Sequence, residues 1–444
     1  MSIWDRLFGN DAPAADAGPG VRFGRYSDAY KTAANYRAWD ESLAAFDDER
    51  TLAAYEHFLR YLRDEDEHNV RFHRENDQLY FEFYQGSKRI TGRASDKGLR
   101  LEARVAALPE SASPNLLRRL MQRNYELRYS RFSLSPEREI TIVFDSGLDD
   151  GTPHKLYHAF KEVALQADKQ DDLLLEEFKQ LRPLEASHLT ELPEAEREVK
   201  ITFLTQTIQG VLDQLSSGRP NPESQPGGVA YLLLDLVYKL DYLIRPEGYT
   251  MEALERMHRL YFANEPDKRV TYKNARLVSH LKELLDRAPA DFRTEMYRGR
   301  STFAITQPIS HDRLAQLIGN ELSHMDWYQD NDLATVALAI PGYIVGYTLF
   351  NYAPPPPDRD LFHLYLHIRE NAYFRQLGYE QEFLDAEGRP HRRVIRAAIA
   401  EIAERHRRQY PRLRPSLSGL EWDTLTDFSR SFLKLVQGLD LEKI

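Results

Sequence analysis

The stretch that decides the fold is Val70–Ala106, VRFHRENDQLYFEFYQGSKRITGRASDKGLRLEARVA. Apolar and polar residues alternate along it, so that Leu79, Phe81 and Phe83 share one face of a predicted strand. Turn-forming residues interrupt the alternation at Asn76-Asp77, Gly86-Ser87 and Asp96-Lys97-Gly98. Alternating segments joined by short polar turns predict an antiparallel β-meander.

Helical patterns flank this meander. In chain order we predict a helix over Thr51–Arg63, the meander, a helix opening at Ser113-Pro114, strands at Tyr129–Leu134 and Glu139–Phe144, and a long helix from about His154 to Leu181. The strands cluster instead of alternating with helices as in βαβ units. This order predicts an α+β domain with an antiparallel sheet and flanking helices.

Composition excludes several classes of protein. The 444 residues contain no Cys, which excludes disulfides, thiolate nucleophiles and Cys-ligated metal centres. A formal net charge of -10 argues against a nucleic-acid partner. We predict no membrane-spanning helix, because no apolar run approaches the required ~18 residues. The N-terminus lacks the basic-then-apolar pattern of a signal peptide, so we expect a cytoplasmic protein.

The pattern along the chain predicts four regions. Residues 1–25 are expected to be flexible, and Met1–Phe8 within them is either a frayed terminus or a docking peptide. Residues 26–182 form the α+β domain, and residues 194–300 have an almost entirely helical pattern. For residues 301–444 we predict a second α+β region, and a degenerate copy of the first domain is one interpretation.

Two patterns carry the prediction for this last region. Leu333–Ile340 and Tyr343–Tyr352 flank Pro341-Gly342 like the arms of a hairpin. Leu361–Ile368 alternates apolar and polar residues, which favours a strand. The prolines Pro354–Pro357 predict a polyproline II loop between them.

Aromatic residues suggest a surface for protein binding. If Leu79, Phe81 and Phe83 face the helices, then Tyr80, Glu82 and Tyr84 form the opposite face of the same strand. Two further candidates, Tyr125 and Tyr129, lie nearby in the sequence. Because the apolar face packs on the helices, the opposite face is free for a partner or a second subunit, unless a helix from the middle region covers it. Its tyrosines favour a role in binding, since protein interfaces are enriched in Tyr and Arg.

Metal chemistry is the alternative from a different class. Glu255/His258 and Glu321/His324 are Glu-x-x-His pairs inside predicted helices, the spacing that di-iron carboxylate sites use. The additional bridging carboxylates of such a site are not identifiable. His363 and His367 would be an i, i+4 metal pair on a helix, but the predicted strand separates them by ~13 Å at ~3.3 Å per residue. We therefore predict no cofactor.

One part of the sequence resembles a known family. The run Leu116–Lys169 is similar to the second half of the type III secretion chaperone-like fold, and in particular to the YbjN family of bacterial sensory transduction regulators. The similarity is carried by Leu117, Leu120 and Asn124-Tyr125 on the helix, Phe132–Leu134 and Ile140–Phe144 as strands, and Leu156, Phe160, Val163 and Ala167-Asp168 on the last helix. It covers about residues 51–181 and implies a small α+β unit that binds protein segments or dimerises, without catalytic residues.

Together these patterns lead to one functional hypothesis. We expect a non-enzymatic, protein-binding protein that acts as a chaperone-like or regulatory adaptor, with a protein partner or self-association, for example as a homodimer. Two alternatives stay open, a metal-dependent enzyme built on the Glu-x-x-His pairs and a structural subunit of a larger assembly. Motifs for phosphate-binding loops, nucleophile elbows and H-E-x-x-H zinc sites do not occur in the sequence.

Overall fold

The computed structural model describes residues 19–109, 112–184, 188–263 and 267–442. Its contacts divide the chain into two compact units. The sheet unit comprises Tyr26–Glu191 together with the short segment Tyr297–Ala304. The helical unit comprises the described residues up to Arg25, Leu192–Met296, and the described residues from Ile305 onward.

The sheet unit contains the predicted meander. Its elements are helices α1 (Ala33–Asp47) and α2 (Thr51–Leu62), strands β1 (Val70–Glu75), β2 (Gln78–Gln85), β3 (Lys88–Ser95) and β4 (Gly98–Ala107), helix α3 (Pro114–Glu126), strands β5 (Arg131–Leu134) and β6 (Glu139–Ser146), helix α4 (Pro153–Glu177), and the two-residue strands β7 (Thr190–Glu191) and β8 (Tyr297–Arg298). The main sheet is antiparallel with strand order β1-β2-β3-β4-β6-β5. The predicted α+β class is confirmed.

Turn chemistry and alternation fix the register of this sheet. Asn76 and Asp77 both have positive φ, at 45° and 57°, as a two-residue hairpin turn requires. Phe81 and Phe83 point to one face, as predicted, and stack on Phe160 of α4 at centroid distances of 5.5 and 5.4 Å. Opposite Phe81 in the register is Gly92, where a Cβ would lie 2.2 Å from the Phe81 ring. The sheet face that packs on α4 therefore forms the core of the unit.

The helical unit is built almost entirely from helices. They are α5 (Glu194–Ser216), α6 (Pro226–Ile244), α7 (Gly248–Phe262), α8 (Val270–Leu285), α9 (Pro289–Thr294), α10 (His311–Leu322), α11 (Met325–Asp330), α12 (Ala334–Asn351), α13 (Pro356–Arg369), α14 (Asn371–Gln376), α15 (Arg392–His406) and α16 (Leu425–Gln437), with a 3₁₀ turn at Leu417–Gly419. The two-residue strands β9 (Gln307–Pro308) and β10 (Tyr352–Ala353) pair in parallel.

Helices α6 and α12 pack closely at the centre of the helical unit. Gly346 of α12 permits this approach, because a Cβ there would lie 2.6 Å from the Cβ of Tyr238. One turn earlier, Gly342 leaves room for the buried ion pair in which Arg369 donates to Asp235 at 2.8 and 2.6 Å. Small residues in α12 thus allow a charged pair and an aromatic ring beside the helix axis.

The prediction of a second α+β region over residues 301–444 is wrong. Both predicted hairpin arms belong to the single helix α12, which contains Pro341, and the predicted strand Leu361–Ile368 belongs to α13. The alternation of apolar and polar residues in α13 led to the wrong prediction of a strand, because the polar positions are buried together with the apolar ones. His363, Tyr365 and His367 are at most 2% exposed. Since α13 begins at Pro356, the polyproline loop is also shorter than predicted. These helices give no support to an internal duplication.

Helix α12 contradicts the observation on which we based the prediction of no membrane-spanning helix, namely that no apolar run approaches the required length. Its 18 residues have a mean hydropathy of 1.3, so the helix is long and apolar enough to cross a membrane by length and composition. However, 72% of this window is buried inside the protein. Such burial is typical of the central helix of a protein core.

Candidate protein-binding surface

The predicted face of β2 is only partly exposed. Tyr80 is 37% exposed, stacks on His73 of β1 at 5.4 Å and donates a hydrogen bond to Gln78. The carboxylate of Glu82 accepts hydrogen bonds from the Tyr84 hydroxyl at 2.9 Å and from Arg89 at 2.8 Å. Tyr84 itself is only 4% exposed. Of the three residues, Tyr80 alone offers a substantial aromatic surface.

Tyr84 is buried because a distant segment of the chain covers it. We call Tyr297–Ala304, which the sheet unit takes from the far side of the helical sequence, the strap. The Arg300 guanidinium lies 4.9 Å from the centre of the Tyr84 ring, and the His188 ring lies at the same distance from it. The alternative that we predicted was a cover formed by a helix of the middle region, whereas the strap that covers Tyr84 is not helical.

The other two aromatic candidates lie at the opposite end of the sheet. Tyr125 lies in the last turn of helix α3, and Tyr129 lies in the loop between α3 and β5. Strands β3, β4 and β6 separate β2 from β5. At ~4.8 Å between neighbouring strands, β2 and β5 are ~19 Å apart. The five predicted residues therefore do not form one surface, and the candidate site divides into two.

The α3 end is the more exposed of the two. Leu117, Met121 and Tyr125 are spaced four residues apart, so they lie along one face of the helix, which we call the α3 stripe. They are 47%, 73% and 93% exposed. Leu134 on β5 adds a side chain that is 55% exposed. Strand β5 ends the sheet order, so within the described residues its outer edge pairs with no strand.

Hydrogen bonds hold the stripe in place. The Glu162 carboxylate of α4 accepts hydrogen bonds from the backbone N–H groups of Arg128, Tyr129 and Ser130 at 2.8–2.9 Å. Burial alone would raise the pKa of Glu162, but these bonds and one from the Ser130 hydroxyl outweigh burial and lower it. Asn124 also accepts a hydrogen bond from the Phe132 N–H at 2.6 Å. The apolar stripe is thus presented on a fixed scaffold.

The charge around the stripe is positive. Arg119 pairs with Glu177, and Arg123 pairs with Glu126. Among the described residues no carboxylate pairs with the side chains of Arg118 or Arg128, and both are exposed. An apolar stripe flanked by unpaired guanidinium groups is complementary to an acidic, apolar ligand.

The Glu-x-x-His pairs do not converge on a common site. The His258 ring and the Tyr238 hydroxyl form a hydrogen bond at 2.8 Å. Arg25 donates a hydrogen bond to the Glu255 carboxylate at 3.0 Å. Burial, reinforced by Arg25, lowers the pKa of His258 to about 4. The other pair contacts a different tyrosine two turns away on α6, because Glu321 and His324 lie 2.6 and 3.1 Å from the Tyr231 hydroxyl.

His363 and His367 are neighbours, contrary to the prediction. On helix α13 their ring centroids lie 6.4 Å apart, and the Tyr242 hydroxyl bonds to His363 at 2.9 Å. Burial lowers the pKa of His367, and its ring stacks on Phe374 at 3.9 Å. Within the described ranges, no three His, Asp or Glu side chains are grouped so that they could hold a metal ion.

The comparison with protein families agrees with the fold of the sheet unit. The family model of YbjN, described as "Putative bacterial sensory transduction regulator", matches residues 53–176. This range runs from α2 to the last turn of α4, which is less than a third of the chain. No curated protein matches the chain. The description names a regulator and no catalytic activity, so a regulatory or binding role fits the match. The predicted resemblance is thereby confirmed: over residues 53–176 the sheet unit is similar to the YbjN family.

Proposed function

We propose that this protein is a non-catalytic regulatory adaptor that binds a protein partner through the α3 stripe. The observation that carries the proposal is the exposure of Leu117, Met121 and Tyr125 along one helix face, beside the open edge of β5. Contiguous exposed apolar side chains on a rigid element mark interaction sites more often than isolated ones do. The similarity to a family of regulators supports the same role.

The partner is expected to be an acidic, amphipathic segment of another protein. Apolar side chains of such a segment would cover the stripe, and its carboxylates would pair with Arg118 and Arg128. A second copy of this chain is less favoured, because two copies that meet through the stripe would bring these arginines together. Like charges at an interface oppose association. The binding event is expected to occur in the cytoplasm.

Site-specific photo-crosslinking tests this proposal in the native host cell. A photoreactive phenylalanine analogue replaces Tyr125, and the matched control places it at Tyr36 of α1, which is also an exposed aromatic position at 54%. We expect a crosslink from position 125 and none from position 36. Mass spectrometry of the crosslinked peptide should identify a segment rich in Asp, Glu and apolar residues.

Charge reversal then separates a specific complex from random contact. The Arg118→Glu/Arg128→Glu variant should lose the crosslink, and added salt should weaken it. With the identified segment as a synthetic peptide, Met121→Asp should reduce affinity at least tenfold. Equal crosslinking from both positions would overturn the proposal. A crosslink to a second copy of the chain would overturn the adaptor proposal and would indicate that the α3 stripe mediates homodimer formation.

A further inference from the structure

The strap enters the sheet unit where β2 extends past the start of β1. The Tyr84 N–H donates to the Asn69 carbonyl, and the next contacts of β2 are made with the strap. Gly86 and Arg300 form an antiparallel bridge, and the Thr302 hydroxyl donates to the Tyr84 carbonyl at 2.7 Å. The strap therefore completes the hydrogen bonding of the end of β2.

Buried polar side chains form a slot for Thr302. The Gln85 amide oxygen accepts hydrogen bonds from the N–H groups of Thr302 and Phe303 at 3.2 and 3.0 Å. The Asn69 amide donates to the Thr302 hydroxyl at 3.2 Å. Asn69 and Thr302 are fully buried, and Gln85 is 6% exposed. Without the strap, these polar groups of the sheet unit would lose these hydrogen bonds.

An apolar slot and an aromatic face lie on either side of these hydrogen bonds. The Phe303 ring is 1% exposed and meets Phe83 and Tyr157 edge-to-face at 5.9 and 5.6 Å. On the other side, Arg300 lies over Tyr84 in a cation–π contact. The strap thus places a guanidinium, a hydroxyl and an aromatic ring into three separate sites of the sheet unit.

We propose that these three sites form a peptide-binding groove for an Arg-x-Thr-Phe segment, which the strap occupies in cis. The bonds between groove and strap connect residues more than 200 positions apart in sequence, such as Gln85 and Thr302 with a separation of 217. The strap also lies outside the residues that match the YbjN family. The groove therefore recognises its occupant through side chains and backbone, as a peptide site does, and a partner carrying the same four-residue pattern would compete with the strap.

The strap has the advantage of a tether, since its effective concentration at the groove is of millimolar order. A free peptide can compete only after the strap is weakened. The test uses the full chain with Phe303→Ala, which empties the aromatic slot, and the fluorescent peptide YRGRSTFAI, which corresponds to Tyr297–Ile305. The matched control peptide, YRGRSAAAI, lacks the hydroxyl and the ring.

We expect the Phe303→Ala chain to bind YRGRSTFAI at least tenfold more tightly than the control peptide in a fluorescence anisotropy titration. The wild-type chain should bind at least tenfold more weakly than the variant. Phe303→Leu keeps the slot partly filled and should give an intermediate affinity, and it serves as the test variant if Phe303→Ala does not fold. Equal affinity of a folded variant for the two peptides, or no binding of YRGRSTFAI by it, would overturn the proposal.

A second variant displaces the strap without changing its contact residues. A Cβ at Gly299 would lie 2.9 Å from the carbonyl oxygen of Gly86, the residue that follows β2, so Gly299→Val should push the strap away from this backbone. This variant should bind the same peptide with the same discrimination. The α3 stripe lies at the other end of the sheet. A negative result for the peptide-binding groove therefore leaves the adaptor proposal intact, and a negative crosslinking result at the α3 stripe leaves the groove proposal intact.

Discussion

The two ends of the sheet differ in what covers their apolar side chains. At the β2 end, Phe83 and Tyr84 are buried beneath the strap, which fills both polar and apolar slots. At the β5 end, Met121 and Tyr125 are exposed on the side of α3 opposite the buried Leu116. Both ends present aromatic residues next to arginines, so composition alone does not distinguish them.

This difference shows that the pattern of a strand or helix predicts which residues share a face, but not which other segment of the chain packs over that face. The cover of the β2 end comes from residues more than 200 positions away, whereas within the described residues no segment covers the α3 stripe. The β2 end should therefore contribute strongly to stability, and the α3 end should contribute mainly to binding. The following experiments test this contrast.

Phe303→Ala should have the largest effect. Truncation of a buried Phe costs about 3–5 kcal/mol of unfolding free energy, because contacts are lost and a cavity remains. Hydrogen-exchange mass spectrometry on peptides from β2 and β3 measures the change locally, which suits a chain of two units. Leu134→Ala at the exposed end is the control and should change exchange by less than about 0.5 kcal/mol. Equal effects of the two substitutions would remove the contrast.

Lys88→Met should have the next largest effect. Lys88 and Asp171 form an ion pair beneath the β2–β3 turn, where Ser87 also donates to Asp171 at 2.7 Å. Both side chains are over 90% buried, so loss of one partner costs about 3 kcal/mol. Chemical denaturation followed by the exchange of β3 amides measures this loss. The double variant Lys88→Met/Asp171→Leu should recover most of the stability, because it leaves no unpaired charge.

The pH dependence of this variant has a definite sign. Burial raises the pKa of Asp171, and Lys88 opposes the shift. Removal of Lys88 therefore raises the pKa further, and the folded state then favours the protonated carboxyl group. The deficit should be smallest below about pH 4 and should grow as pH rises through the folded-state pKa. A deficit that is independent of pH would show that Asp171 does not titrate in this environment.

Glu162→Ala tests the scaffold of the exposed end. It removes an acceptor of three backbone hydrogen bonds, and we expect a loss of about 1–2 kcal/mol at pH 7. Because the folded-state pKa of Glu162 is lowered, its stabilising contribution is present above the unfolded-state pKa and disappears as pH falls through the folded-state value. Wild type and variant should thus converge in acid. Glu126→Ala, which breaks only the exposed pair with Arg123, is the control and should cost less than about 0.5 kcal/mol.

The sheet could be predicted from sequence because its signals are local. Turn residues such as Asn76-Asp77 and the alternation of Leu79, Phe81 and Phe83 lie within a few positions of one another. The strap has no comparable signal, since Tyr297–Ala304 has neither a clear period nor any nearby partner in sequence. Its role depends on contacts with Tyr84 and Gln85, which only the folded chain brings together.

The helical unit shows a different limit of sequence patterns. In α13 the polar residues His363 and His367 are as buried as their apolar neighbours, so a period of two did not mean a half-exposed strand. In α12, Pro341-Gly342 resembles a turn, but the glycine is needed for the buried Arg369–Asp235 pair. Fully buried helices lack the polar face that reveals a helical period.

The smallest effect on stability is expected from the α3 stripe itself. Met121→Gln/Tyr125→Gln should change the unfolding free energy by less than about 0.5 kcal/mol, because both side chains are mostly exposed. The control is the adjacent pair Leu116 and Leu117, which are 0% and 47% exposed. Leu116→Ala should cost about 2–4 kcal/mol, and Leu117→Ala far less. A loss above 1 kcal/mol for the double variant would mean that part of the protein covers the stripe in solution. The predicted result, full stability with loss of the crosslink at position 125, would assign these side chains to a partner.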